Sequence, residues 1–262
     1  MASPSRSNPL ETISRRYDLL AALEADPGTK ADLEATTDSS RSTVDRGVRE
    51  LMTFGLLERD EGRLRLTMAG RLALSAFRDA RNALESVVDV SHLLAAVPTD
   101  APLSMALLEG ATIHEPSRLT PNQPLETIAN RLQDAVRFRG IAATEPIPQF
   151  RRILTERTIA GHLDAEVVFT DELLSFVLDD HGASLERVFQ TGRFHGHVVE
   201  SIPYGLVLLE TTTTAYTFVV VTDDGETVGV IENDSEAAYE WGSDVFRRFQ
   251  AAGVRLPSGG ET

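Results

Sequence analysis

Within the first 66 residues the hydrophobic period changes from helical to alternating, and this constrains the fold more than any other feature of the chain. Leu10, Ile13, Tyr17, Leu20 and Leu23 recur at helical spacing and stop at Asp26-Pro27-Gly28, where proline and glycine break a helix. Thr29 is placed to cap a short second helix over 30–35 with Leu33 inward, and 36–39 read as a polar turn. A third helix starts near Ser40 and runs to Phe54-Gly55. Its buried stripe is Val44, Val48, Leu51 and Met52, and its opposite face carries Arg41, Ser42, Thr43, Asp45, Arg46 and Arg49. Leu57-Glu58-Arg59 and Arg63-Leu64-Arg65-Leu66 then alternate around Asp60-Glu61-Gly62, the pattern of a β-hairpin.

Helix, short helix, turn, polar-faced helix and basic hairpin is the order of a winged helix-turn-helix. The stretch 39–51, which opens Ser39-Ser40-Arg41-Ser42-Thr43, and the following Gly55-Leu56-Leu57-Glu58-Arg59 resemble the recognition helix and wing entry of archaeal and bacterial winged-helix transcription regulators. A helix fits the major groove with its N-terminal residues at base edges, and Arg reads guanine bidentately or clamps phosphate. Ser42, Thr43 and Arg46 are the base-facing candidates of a recognition helix over about 40–54, with Arg41 and Arg49 nearer the backbone. Arg63 and Arg65 on a wing over 57–66 reach the flanking groove. Lys30, Ser40 and Asp45 complete the expected DNA-contact set. The alternative is a protein–protein adaptor on the same three helices, with these arginines as a solvated face.

Charge at first opposes a nucleic-acid partner: 40 acidic residues against 25 basic ones leave −15. The split along the chain removes the objection. Residues 1–83 hold 13 basic and 13 acidic residues, whereas 84–262 hold 12 and 27. The basic residues are all Arg except Lys30, and acidic excess with scarce Lys is what a high-salt cytoplasm favours. The absence of Cys excludes disulfides, Cys-ligated metal and a thiol nucleophile. No apolar run approaches membrane-spanning length, and 1–8 lacks the hydrophobic segment of a signal peptide. The expectation is a soluble, cytoplasmic protein without membrane contact.

Thr67 is placed to cap a long connector helix over 68–97, stopped by Pro98. At 1.5 Å per residue it would span roughly 45 Å. Its apolar surface (Leu72, Phe77, Leu84, Val87, Val88, Leu93 and Leu94) is broad enough to pair with a twin, giving a homodimer on a palindromic site. The same surface would also serve to pack on the chain's own second domain.

From residue 100 the pattern is mixed. Helices are expected over 102–108, 125–137, 148–159, 172–178, 185–190 and 235–251, with an irregular stretch over 113–124. Strands are expected over 140–143, 165–169, 195–200, 205–210, 216–221 and 228–231, with Asp224-Gly225 marking a hairpin. The whole reads as an α+β or α/β chain in four segments: a DNA-binding domain (1–66), a connector or dimerisation helix (67–98), an acidic mixed-sheet α/β domain (99–256) and a disordered tail (257–262).

The segments around Arg139-Gly140-Ile141, Asp171-Glu172-Leu173-Leu174, Ile202-Pro203-Tyr204-Gly205-Leu206 and Gly229-Val230-Ile231-Glu232-Asn233 occur in an order that resembles haloarchaeal winged-helix regulators related to the archaeal methanogenesis and filament regulator family. The resemblance implies a sensor or effector domain. A small effector would sit among strand ends and covering helices, where Arg139, Glu145, His195, Tyr204 and Glu232 are the candidates. An anionic metabolite would need Arg137, Arg139, Arg151 and Arg152 to converge. His195 and His197 share a strand face, but a metal needs three or four ligands, and His162, His181, Asp164, Asp179 and Asp180 are not tied to them by spacing. Ser184 and Ser201 lack the context of a nucleophile, there is no Gly-x-Ser-x-Gly, and no glycine-rich loop cradles phosphate. The reading is a non-enzymatic, sequence-specific transcription regulator needing no cofactor. A hydrolase-like enzyme with a winged-helix appendage is the other alternative.

Overall fold

The computed structural model describes residues 8–145 and 147–257; residues 258–262 of the expected tail lie outside them. The chain is an α+β protein in two compact units, Met1–Glu85 and Ser86–Thr262.

The first unit begins with α1 (Pro9–Arg15) and α2 (Tyr17–Ala25), not one helix, because Arg16 leaves the helical conformation at φ −112° and ψ 14°. The Arg16 guanidinium lies on Glu50, Nε to Oε2 2.9 Å. In α3 (Lys30–Thr37), Thr29 and Asp32 form a reciprocal capping box. Ser40 caps α4 (Arg41–Thr53), whose buried face is Val44, Gly47, Val48 and Leu51. Gly47 takes the place expected of Met52, which is exposed. A Cβ on Gly47 would come within 2.5 Å of Leu19 Cδ1, so a larger residue there would require the Leu19 side chain to shift.

Strands β1 (Leu57–Asp60) and β2 (Arg63–Leu66) pair antiparallel, and Glu61 and Gly62 turn between them at φ 45° and 83°. In the core Leu20, Leu23, Leu33, Val44, Leu51, Leu64 and Leu74 are all but inaccessible, and Thr12 is a buried polar residue of this unit. The Thr67 hydroxyl accepts from the Gly70 amide at 3.0 Å at the start of α5 (Met68–Asp89).

This helix is shorter than its apolar pattern predicts. Val90 leaves the helical conformation (φ −102°, ψ 8°), and a new turn, α6 (Ser91–Leu94), follows. The expected connector over 67–98 is therefore broken. Val90 and Leu93 are buried in the core of the second unit, whereas Leu74 belongs to the first core. Part of the apolar surface serves two cores in succession, Phe77 in the first and Val87, Leu93 and Leu94 in the second, while Leu72, Leu84 and Val88 stay exposed.

The second unit continues with α7 (Met105–Leu108), β3 (Thr112–His114), α8 (Gln123–Leu132), β4 (Arg137–Ala142), α9 (Pro148–Ile159) and β5 (Asp164–Thr170). Then follow α10 (Asp171–Phe189), β6 (Phe194–Val199), β7 (Gly205–Glu210), β8 (Ala215–Asp223), β9 (Glu226–Asn233), α11 (Glu236–Ala252) and β10 (Val254–Arg255). One eight-stranded sheet has the order β10-β6-β5-β4-β7-β8-β9-β3. Strands β4, β5 and β6 are parallel and the other pairings antiparallel, so the sheet is mixed.

One face packs Phe138, Val167, Leu209 and Phe218 against Ile128, Phe150, Ile153 and Leu173 of α8, α9 and α10. The other packs Ile141, Val168, Leu208 and Val219 against Val245 and Phe246 of α11. The two helices expected over 172–178 and 185–190 are one run, kinked at His181 (φ −138°, ψ 17°). No helix of the described residues is long and apolar enough to cross a membrane.

Candidate functional site

The outward face of α4 is built by its cap and its core contacts. Burying Val44, Gly47, Val48 and Leu51 turns Arg41, Ser42, Thr43, Arg46 and Arg49 to solvent. The Ser40 hydroxyl accepts from the Thr43 amide at 3.3 Å and lies 3.1 Å from Ser42 Oγ and 2.9 Å from Thr43 Oγ1, so three hydroxyls cluster at the helix start. Arg41 and Arg46 are exposed and, among the described residues, enter no ion pair.

Arg49 donates through Nε to the Asp45 carbonyl at 3.2 Å. Lys30 pairs with the Asp45 carboxylate, which this contact and the nearby Arg41 and Arg49 hold below the usual aspartate range. In the hairpin, Arg63 donates to the Pro27 carbonyl, while Arg65 is shared between Glu58 (2.8 Å) and Asp60 (3.2 Å). Both arginines are exposed but already engaged. The least committed cations of the expected contact set are therefore Arg41 and Arg46.

In the second unit a cavity of about 740 Å³ opens at the C-terminal end of β4, between the sheet and α8, α9 and α10. Its wall is apolar, including Leu125, Phe138, Phe150, Phe169, Leu173 and Val220. Of the five expected effector residues, only Glu145 and Tyr204 line it. Tyr204 is 4 % exposed, donates its hydroxyl to the Pro102 carbonyl at 2.7 Å, and has its pKa pushed up by burial.

The remaining three stand elsewhere. Arg139 is on the opposite face of β4, where Nη2 donates to Tyr239 (2.6 Å) and Ser243 (2.9 Å) and lies 3.7 Å from Glu210. The alternation of a strand decides this, since Phe138 and Gly140 take the cavity side. His195 lines a separate polar niche with Arg137, Asp164, Glu166 and Arg193. Glu232 is 8 % exposed and bound to His114 (2.6 Å) and Arg131 (3.4 Å).

Arg137, Arg139, Arg151 and Arg152 do not converge, for only Arg151 lines the cavity. It joins Glu145 and His181, with His181 Nε2 3.5 Å from Glu145 Oε1. The sequence reading missed Arg151 and His181 as partners of Glu145. A signal for them existed in α9 following Glu145 closely and in the break expected near 181. Ser184 lines the same cavity, but among the described residues no hydrogen bond joins it to His181. No group of three His, Asp or Glu among the described residues is placed to hold a metal ion.

The profile described as the middle domain of the methanogenesis regulatory protein FilR1 matches residues 121–252, half of the chain. That described as the HVO_A0261 N-terminal domain matches residues 5–89. No curated protein matches significantly. Among solved structures, the archaeal chromatin protein TrmBL2, described as showing a novel mode of DNA binding, is 11% identical and covers 96% of this chain and 100% of its own, at a TM-score of 0.44. An O-methyltransferase family protein from Burkholderia thailandensis is 10% identical over 74% of this chain and 60% of that one, at 0.24. TM-scores this low do not establish a shared fold. The profile match over 121–252 spans α8 to α11 and the strands between them, which is the frame of the cavity. The chain belongs to the family defined by the middle domain of the methanogenesis regulatory protein FilR1.

Proposed function

We propose that this chain is a sequence-specific, double-stranded-DNA-binding transcription regulator acting in the cytoplasm, whose first unit reads DNA and whose second senses a small effector. One observation carries the reading. Arg41, Ser42, Thr43, Arg46 and Arg49 stand together on the exposed face of α4, at and after its capped start, in a helical unit closed by a hairpin. A helix presenting hydroxyls and arginines in this way suits the major groove, with β1–β2 as a wing on the flanking groove. The family's regulatory description agrees with it. The neutral charge of 1–83 shifts the weight of recognition from counterion release to base contacts and geometry, as a high-salt, haloarchaeal setting would require.

A homodimer on a palindromic operator fits the same reading. Met68, Leu72, Leu84 and Val88 of α5 are more than 60 % exposed, an apolar surface that a second copy would cover. The proposed reading is non-enzymatic and includes no catalytic step.

The test is selection of bound sequences from a random duplex library, followed by affinity measurement for Arg46→Ala and Arg41→Ala. Both should weaken binding of the selected sequence about tenfold or more, with the fold retained. Parental affinity in both variants overturns the groove assignment. Sedimentation of Leu84→Glu tests the dimer.

A further inference from the structure

Apart from the exposed Glu226, the charged residues lining the apolar cavity of the second unit gather in one half-buried corner, and its arrangement identifies a class of ligand. A volume of about 740 Å³ lies inside the range of about 300–1,000 Å³ usual for small-molecule sites. The walls are mainly aliphatic and aromatic, so the body of a fitting ligand is apolar. The corner holds Glu145, Arg151 and His181.

Arg151 is the fixed member, on the twelve-residue helix α9, and it keeps its charge at any working pH. Glu145 stands between β4 and α9, outside any helix or strand. The guanidinium fork suits a bidentate carboxylate, yet it meets both Glu145 and His181 through the single nitrogen Nη1. Among the described residues its other N–H groups enter no hydrogen bond, and they suit a second acceptor.

We propose that the cavity binds an apolar monocarboxylic acid, an acyl chain or ring bearing one carboxylate, and that Glu145 stands in for that carboxylate on Arg151 until the ligand displaces it. A carboxylate leaving water for an apolar cavity requires a cation to receive it, and Arg151 is the permanent one here. An amine would find Glu145 already neutralised by Arg151, and a neutral compound would leave the pair unused. The inference rests on reading this unit as a sensor. If it holds, effector binding releases Glu145 from Arg151.

The experiment is calorimetric titration of the full chain with decanoate, decanol and decylamine, with DNA affinity measured in parallel. Decanoate should bind, and decanol should bind about tenfold more weakly, since it lacks the charge. Glu145→Gln removes the competitor and should tighten decanoate several-fold. Arg151→Gln should weaken it about tenfold or more, with Arg151→Lys intermediate because charge survives without the fork.

Weaker binding in Glu145→Gln, unchanged binding in Arg151→Gln, a preference for decylamine, or equal binding of all three overturns the proposal. So does failure to bind decanoate while DNA affinity responds to another compound, an outcome that leaves the sensor reading intact. Decanoate binding with the expected variant pattern but no change in DNA affinity supports the site and rejects its sensor role.

Discussion

The ammonium of Lys30, at the start of α3, holds the carboxylate of Asp45 on the outward face of α4. Asp45 is the one acid among the residues expected to meet DNA, and this pairing offsets the charge that a phosphate backbone would resist. Asp45→Asn should therefore tighten DNA binding roughly threefold to tenfold at about 0.1 M salt, and Lys30→Gln should weaken it by a similar factor. Fluorescence anisotropy with a selected duplex reads both. Movement of the two variants in the same direction would mean that the pair serves stability alone.

Gly70 lies in the first turn of α5 because nothing larger fits beneath Leu56. A Cβ there would sit 2.1 Å from the Leu56 carbonyl oxygen, and backbone cannot step aside as a side chain can. Gly70→Ala should cost the first unit about 2–3 kcal/mol in urea unfolding. Gly55 supplies the comparison: it has φ 69° and open space where a Cβ would stand. Gly55→Ala should cost only about 1 kcal/mol, the strain of a left-handed alanine. Equal losses would show that α5 shifts to accommodate the methyl.

Three carboxylates of the first unit are held below their ordinary range. Asp32 is lowered chiefly by the Thr29 amide, Asp45 by Lys30 and Glu50 by Arg16. A depressed folded pKa gives stability that is complete above the unfolded pKa and is lost as the pH falls through the folded one. The urea midpoint should stay flat from about pH 7 to pH 5 and decline below about pH 4. Glu50→Gln should flatten part of that decline. It should also cost about 1 kcal/mol at neutral pH, because Arg16, with its side chain 11% exposed, loses its partner. A midpoint unchanged down to pH 2 would show that these contacts add nothing to folding.

The first unit was legible because its signals are local. Breakers at Pro27 and Gly28, caps at Thr29 and Ser40, and a hairpin turn at Glu61-Gly62 each act within a few residues, and the elements fall accordingly. What sequence could not show was which half of an amphipathic pattern meets which core. The pattern over 68–97 belongs to two cores and so breaks at Val90. The same holds for the effector residues. Arg139 and Phe138 are neighbours in sequence, but strand alternation sends them to opposite sheet faces. Only Glu145 and Tyr204 reach the cavity, and the partners of Glu145 come from α9 and α10. Edge strands β3 and β10, of three and two residues, are too short to carry a period.

Asn233 is a further case of a residue whose local role conceals a distant one. Its Oδ1 accepts from the Ser235 amide at 2.8 Å, and the Ser235 hydroxyl caps the helix. Its Nδ2 meanwhile donates to the carbonyls of Leu107 and Glu109, each at 2.9 Å, and so ties β9 to the end of α7. The side chain is 3 % exposed, and water cannot replace these partners without entering the core. Asn233→Ala should cost the second unit about 2–4 kcal/mol, since two carbonyls and one amide lose their partner together. Asn233→Asp keeps the acceptor for Ser235 but turns a carboxylate toward two carbonyl oxygens, so it should be at least as damaging. Asp234→Ala, at an exposed neighbour, should change little. Calorimetric melting of the three variants separates the roles. If Asn233→Asp melts with the parent, the helix cap is all that matters and the tie to α7 contributes nothing.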